Sequence, residues 1–209
     1  MKVLANKPNP ENIVLGPGAA IFINWTKGEK NMIDVGATQG DLTFTYAPEF
    51  ENIKIRGKRN KVKGLTYVPG SETKIKASYL EFLNKEILQK LLLNAKVQEY
   101  TKDGKNGEPK GKSVIIRANE SLLDYCGSSP YLDDVTVIGT KNNGDIYRIT
   151  VFNALPISGL EAVFGDAEVA PEVEFEGYNN PEDQMTPPFE IEIFEPAQVC
   201  PVNPDVGKK

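Results

Sequence analysis

The sequence predicts a mainly β protein, an antiparallel β-sandwich with one helix on its flank. Three observations predict it. Short segments alternate strictly between apolar and polar residues, the mark of strands with one dry and one wet face. One stretch alone, 79–95, repeats its apolar residues at helical spacing. Asn143-Gly144 sits between two apolar runs, and both turn positions tolerate positive φ, so it predicts a tight hairpin. Strands, one helix and further strands in that order suit a sandwich flanked by a helix.

Residues 1–18 read as an extended, proline-rich arm, and 19–195 as a single domain that opens on a strand at 19–25. Leu42, Phe44 and Tyr46 share one face of a strand at 41–46. Ile53 and Ile55 alternate with Lys54 and Arg56, and strands at 64–69 and 72–78 follow. Ser78 and Glu81 have capping-box spacing, in which each side chain satisfies a free backbone donor of the first turn. From there Leu80, Leu83, Ile87, Leu88, Leu91 and Ala95 form an apolar stripe, so 79–95 predicts a helix of about four turns packed on a sheet. Strands at 96–101 and 113–118 flank a glycine-rich stretch, 102–112, expected to be a mobile loop. Strands at 134–139 and 145–153 form the Asn143-Gly144 hairpin. Val173 and Phe175 alternate with Glu172, Glu174 and Glu176, while Phe189, Ile191 and Ile193 alternate with Glu190 and Glu192. Glutamates opposite each other destabilise a strand pair, so these two strands are not expected side by side in a flat, uncovered sheet. Their wet faces meet water, a lumen or a basic partner. Residues 196–209 read as a flexible tail.

Charge is distributed unevenly along this scaffold. Up to Arg148 there are 22 basic and 17 acidic residues; from 149 to 207 there are 12 acidic and no basic ones, before two terminal lysines. The net charge of −5 therefore hides a polar molecule, which speaks to partners rather than to fold. The basic counterpart is Lys54, Arg56, Lys58, Arg59, Lys61 and Lys63, around Gly57 and ending at Gly64. Three readings stay open for it. It is a solvated hairpin tip, a nucleic-acid patch lacking interleaved aromatics, or a surface that meets the acidic third of another copy. Two unlike complementary surfaces make a heterologous contact, which propagates into rings or filaments.

Several function classes lose support. Histidine is absent, which removes the commonest general base and metal ligand. Cys126 and Cys200 are too few for a disulfide scaffold or zinc site; two reduced thiols, one bridge or a reactive thiol remain as readings. Gly16-Pro-Gly18 lacks the third glycine of a dinucleotide fingerprint, no Walker lysine motif occurs, and Asp133-Asp134 is too sparse for calcium. The sequons Asn24-Trp-Thr26 and Asn119-Glu-Ser121 lack a secretory signal beside them, the chain is expected to be intracellular, and no apolar run approaches a membrane span. No cofactor or metal is expected. Paired carboxylates leave a glycosidase-like enzyme formally open, and a carbohydrate- or receptor-binding sandwich would use Trp25, Tyr125, Tyr131 and Tyr178 for stacking.

The order of features is also specific. Trp25 and then Val35-Gly36-Ala37-Thr38-Gln39-Gly40, leading into the strand at 42–46, resembles the glycine-threonine box of tail tube proteins from long-tailed, siphovirus-like bacteriophages. The matching positions are Gly36, Ala37, Thr38 and Gly40. Residues 51–77 resemble the long β-hairpin of that family, with a basic turn, and the helix at 79–95 follows it in the same order. Residues 155–164 and Val173-Glu-Phe-Glu-Gly-Tyr178 resemble the family's last core strands. The resemblance implies a barrel-like tail tube fold and a structural virion protein without catalysis. It implies hexameric rings that stack into a hollow tube, with self, a tape measure protein and tail-end adaptor proteins as partners. Double-stranded DNA passes through without specific binding, no membrane is involved, and assembly takes place in the host bacterial cytoplasm before the protein resides in the virion tail. The inner tube of a contractile injection machine is the nearest relative reading. The resemblance implies that the hairpin reaches the neighbouring ring and also that parts of it line the inner wall, so the cations of 54–63 stay open between ring contact and lumen. Glu172, Glu174, Glu176, Glu190 and Glu192 then become candidates for the ring contact or for an acidic lumen that repels DNA phosphates.

Overall fold

The computed structural model describes residues 10, 13, 14, 16, 18–57, 60–105, 109–118 and 129–194. The Lys58-Arg59 turn, both cysteines, Tyr125, the second sequon, the 196–209 tail and most of the arm at 1–18 lie outside the described residues.

The described chain is mainly β, every strand pairing is antiparallel, and one α-helix is present. Strands β1 (Ala20–Ile23), β2 (Ile33–Asp34), β9 (Leu132–Thr140), β10 (Ile146–Pro156) and β12 (Phe189–Phe194) form one sheet, in the order β2-β1-β9-β10-β12. Strands β3 (Thr38–Pro48), β6 (Ser71–Tyr79) and β11 (Glu172–Glu176) form the second, reached through the far end of β10. Short strands β4 (Glu51–Asn52) and β5 (Thr66–Tyr67) pair with each other, as do β7 (Lys96–Asp103) and β8 (Lys110–Arg117). No helix among the described residues is long and apolar enough to cross a membrane.

Strand β10 joins the two sheets. Its first half, Ile146 to Val151, pairs with β12; Leu155 and Pro156 pair with β11. The change of partner falls at Asn153, whose φ of 47° turns the strand and whose amide donates to the Tyr178 carbonyl at 3.0 Å. At this fork Gly177 lies so close to Val151 that a Cβ there would come within 2.6 Å of its side chain. Only glycine fits such an approach.

The core fills the space between the sheets. Ile21, Ile23, Val135, Val137 and Val151 come from the first sheet; Ile75, Ala77, Tyr79, Val173 and Phe175 come from the second. Burial of each large apolar side chain here stabilises the fold by about 1.5–3 kcal/mol. Asp134 is also buried. Its carboxylate accepts from the Trp25 and Thr26 amides at 2.9 Å each and from the Thr26 hydroxyl, which ends β1 in a 3₁₀ turn (Trp25–Lys27) two residues short of the expected strand.

The helix differs most from expectation. Helix α1 spans Lys85–Leu91, and its cap is Asn84, which accepts from the Glu86 amide at 3.0 Å. Ser78 and Glu81 do not form a capping box. Tyr79 is fully buried, and its amide donates to the Pro171 carbonyl, so β6 stays extended past Ser78 and the helix starts later. Tertiary burial of one aromatic ring overrides a local helix signal. Ile87, Leu91 and Ala95 of the expected stripe are buried, while Leu83 is exposed.

Two further expectations change. The ends of the stretch 102–112 belong to the ladder, since pairing of β7 with β8 runs on to Asp103 opposite Lys110, and 106–108 lie outside the described residues. Residues 157–164 are not a strand: β10 ends at Pro156, and 157–171 is an irregular loop anchored by the half-buried Leu160, Ala162 and Val169.

Candidate assembly surfaces

The long hairpin is real, but its base lies earlier than 51–77. Strands β3 and β6 pair from Thr38 opposite Tyr79 to Pro48 opposite Ser71, with a bulge between Gln39 and Thr43. Beyond Pro48 the ladder continues only through β4 and β5. Thr66 donates to Asn52 at 2.6 Å, and the Tyr67 hydroxyl donates to Glu51, which raises the Tyr67 phenol. At the tip, 53–57 and 60–65 carry no strand. The alternation at 53–56 buries nothing, because among the described residues no second sheet extends this far; Ile53 is 57% exposed. Phe50, Ile55, Val62, Tyr67 and Val68 are exposed as well. Lys54, Arg56, Lys61 and Lys63 stand among them, without a carboxylate partner among the described residues.

The acidic strand rows are arranged otherwise. Glu172, Glu174 and Glu176 do share the wet face of β11, but β6 lies beside it with Lys74 and Lys76 on the same face. Lys76 pairs with Glu172 at 2.8 Å, and Lys74 bridges Glu174 at 3.3 Å and Glu72 at 3.1 Å. Glu72 first and then Glu174 raise the Lys74 ammonium, and Glu172 raises that of Lys76. Glu176 accepts from the Tyr178 hydroxyl at 2.8 Å; burial, reinforced by this bond, pushes that phenol up to about 12. On β12, Glu190 and Glu192 flank Arg148 of β10, which pairs with both and stacks over Phe194 at 5.5 Å. Strands β11 and β12 do not pair with each other, as glutamate repulsion requires. The five glutamates thus have partners inside their own chain. Lys74, Lys76 and Arg148 were the missed residues, and Thr73-Lys-Ile-Lys-Ala77 carries a signal for two of them: a basic alternation complementary to Glu172-Val-Glu-Phe-Glu176.

A different acidic surface is left unanswered. The 157–171 loop exposes Glu161, Val163, Phe164, Asp166 and Glu168, with Phe164 at 79%. None of its three carboxylates has a cationic partner among the described residues.

The glycine-threonine box does local work. The Ala37 amide donates to Glu81 at 3.0 Å, and the Leu80 amide donates to the Ala37 carbonyl, which clamps the start of β3 to the turn before α1. Gly36 lies against that carboxylate with φ 69°, where a Cβ would meet Glu81 at 2.5 Å. Thr38 opens β3, and Gly40, at φ 72°, sits in the β3 bulge.

Strands β3 and β12 each lack a neighbour on their outer side among the described residues. Between them opens an apolar cleft lined by Leu42, Phe44, Val137, Ile149, Ile191 and Ile193. Ile191 and Ile193, expected on a dry face, are 53% and 56% exposed, because only Phe189 reaches across to Phe44 and Tyr46. The stacking candidates form two separate pairs, Trp25 on Phe22 and Tyr131 on Tyr178. Among the described residues no group of three or more acidic or cysteine side chains could hold a metal ion. No protein-family model and no curated protein sequence matches this chain.

Proposed function

We propose that this protein is a self-assembling structural subunit, the building block of a phage tail tube made of stacked hexameric rings through which DNA passes. The observation that carries the reading is the hairpin tip. A segment with exposed Phe50, Ile53, Ile55, Val62 and Val68 and four cations unpaired among the described residues stands beyond the core that holds its base. A lone soluble domain rarely leaves so many apolar side chains together in water, and such patches mark interaction sites. The free edges of β3 and β12 support the same reading, since sheet edges left open in a monomer are closed by lateral neighbours in a ring. The resemblance at Gly36, Ala37, Thr38 and Gly40 and the order of hairpin and helix supply the kind of assembly.

Electron microscopy of the purified full chain tests this. Annular particles or hollow fibres are expected as concentration rises. A monomer that persists at every concentration and ionic strength sinks the reading in favour of a binding module.

A further inference from the structure

We propose that the hairpin tip of one copy docks on the 157–171 loop of the next, so that this loop, and not the glutamate strand rows, is the acidic seat. The inference rests on the tube reading above and names the partner surface within it.

Occupancy carries the first part of the argument. Glu172, Glu174, Glu190 and Glu192 already have Lys74, Lys76 and Arg148 as partners, so docking a basic tip there would displace existing ion pairs. Glu161, Asp166 and Glu168 have none to displace among the described residues. The loop also matches the tip in its apolar part. Val163 and Phe164 project among the acids much as Ile53 and Ile55 project among Lys54 and Arg56. An aromatic anchor surrounded by complementary charge gives affinity at the centre and register at the rim.

Topology carries the second part. The tip leaves the sheet where β6 begins, at Ser71 opposite Pro48. The loop returns to the sheet where β6 ends: the Tyr79 amide donates to the Pro171 carbonyl, and Glu172 lies opposite Ser78. The base of the tip and the C-terminal anchor of the loop therefore sit at opposite ends of one strand, about 27 Å apart along it at the usual rise per residue. A shift of one copy along that strand brings tip toward loop and leaves a free tip and a free loop at the two ends. Contacts of this head-to-tail kind propagate. The other uncovered ribbon, β7–β8, also carries exposed apolar side chains, Tyr100, Val114 and Ile115, and is the rival donor.

Charge exchange tests the pairing in the full chain. One variant carries K54E/R56E/K61E/K63E, the other E161K/D166K/E168K, and sedimentation reads the concentration at which half the protein assembles. Each variant alone is expected to need at least ~10-fold more protein than the wild type, because like charges then face each other across the contact. An equimolar mixture is expected to recover assembly, since every contact in it can again pair opposite charges. Recovery in the mixture also shows that neither variant failed to fold. F164S, a change at an exposed position, is expected to weaken assembly with an unchanged circular dichroism spectrum. Wild-type assembly by the loop variant, or a mixture no better than its components, overturns the proposal while leaving the tube reading intact. A wild-type chain that never assembles overturns both.

Discussion

Two acidic regions of the same third of the chain behave in opposite ways. The rows on β11 and β12 are answered from within: Lys74, Lys76 and Arg148 lie on the neighbouring strands and take up their charge. The 157–171 loop is bonded to β11 and β6 near its ends, at Ile157, Ser158 and Pro171, yet keeps Glu161, Asp166 and Glu168 without a cationic partner among the described residues. In the sequence both regions look alike, a run of carboxylates without a cation. Strand register separates them, because it decides which charges meet a partner and which are left for another molecule.

The largest effect is expected beneath β11. Phe175 lies on the dry face of the strand that carries Glu174, fully buried against Tyr79. Phe175→Ala is expected to cost about 3–5 kcal/mol in chemical denaturation, the usual loss for an aromatic removed from a core. A cost below about 1 kcal/mol would mean that the two sheets do not pack as described.

A smaller effect is expected at the answered charges. Arg148→Met leaves Glu190 and Glu192 without their shared cation and is expected to cost about 1 kcal/mol or less, as partly exposed pairs do. Adding Glu192→Gln should return part of that loss. The triple change of Glu161, Asp166 and Glu168, by contrast, is expected to leave unfolding within about 0.5 kcal/mol of the wild type, since no cation among the described residues holds those side chains. If the loop change costs more than the arginine change, the division between answered and unanswered acids fails.

The smallest effect is pH-dependent. Lys74 and Lys76 have folded values raised above 10.5 by Glu72, Glu174 and Glu172. A raised cation contributes stability that is complete below its unfolded value and is lost as pH rises through the folded one. The stability gap between wild type and Lys74→Met/Lys76→Met should therefore be constant near neutrality and narrow above pH 10.5. A gap that widens there would contradict the pairing.

Much of this was legible in the sequence where the signal is local. Alternation located the strands at 42–46, 72–78, 134–139, 145–153 and 172–176, because period two reports the two faces of a strand whatever it pairs with. At 53–56 alternation marked a strand that does not form; at 189–194 it found the strand but not its burial, since Phe189 packs on Phe44 and Tyr46 of the second sheet while Ile191 and Ile193 stay exposed beside the cleft. The helix began later than its stripe because Tyr79 is drawn into the core. The basic hairpin cluster was visible from its spacing alone. Its proposed seat was not, because Lys74, Lys76 and Arg148 neutralise the more conspicuous glutamates through pairings that span up to about a hundred residues. Such register is a property of the whole topology, beyond any local window.

The most direct test uses the unmodified protein. Zero-length carbodiimide coupling joins a lysine to a carboxylate only when the two are in contact, and mixing isotopically light and heavy chains identifies links between copies. The account predicts intermolecular links from Lys54, Lys61 or Lys63 to Glu161, Asp166 or Glu168 in the assembled protein, and their absence at concentrations where it is monomeric. Intermolecular links from those lysines to Glu172, Glu190 or Glu192 instead, or links to the loop arising only from lysines of β7–β8, would contradict it.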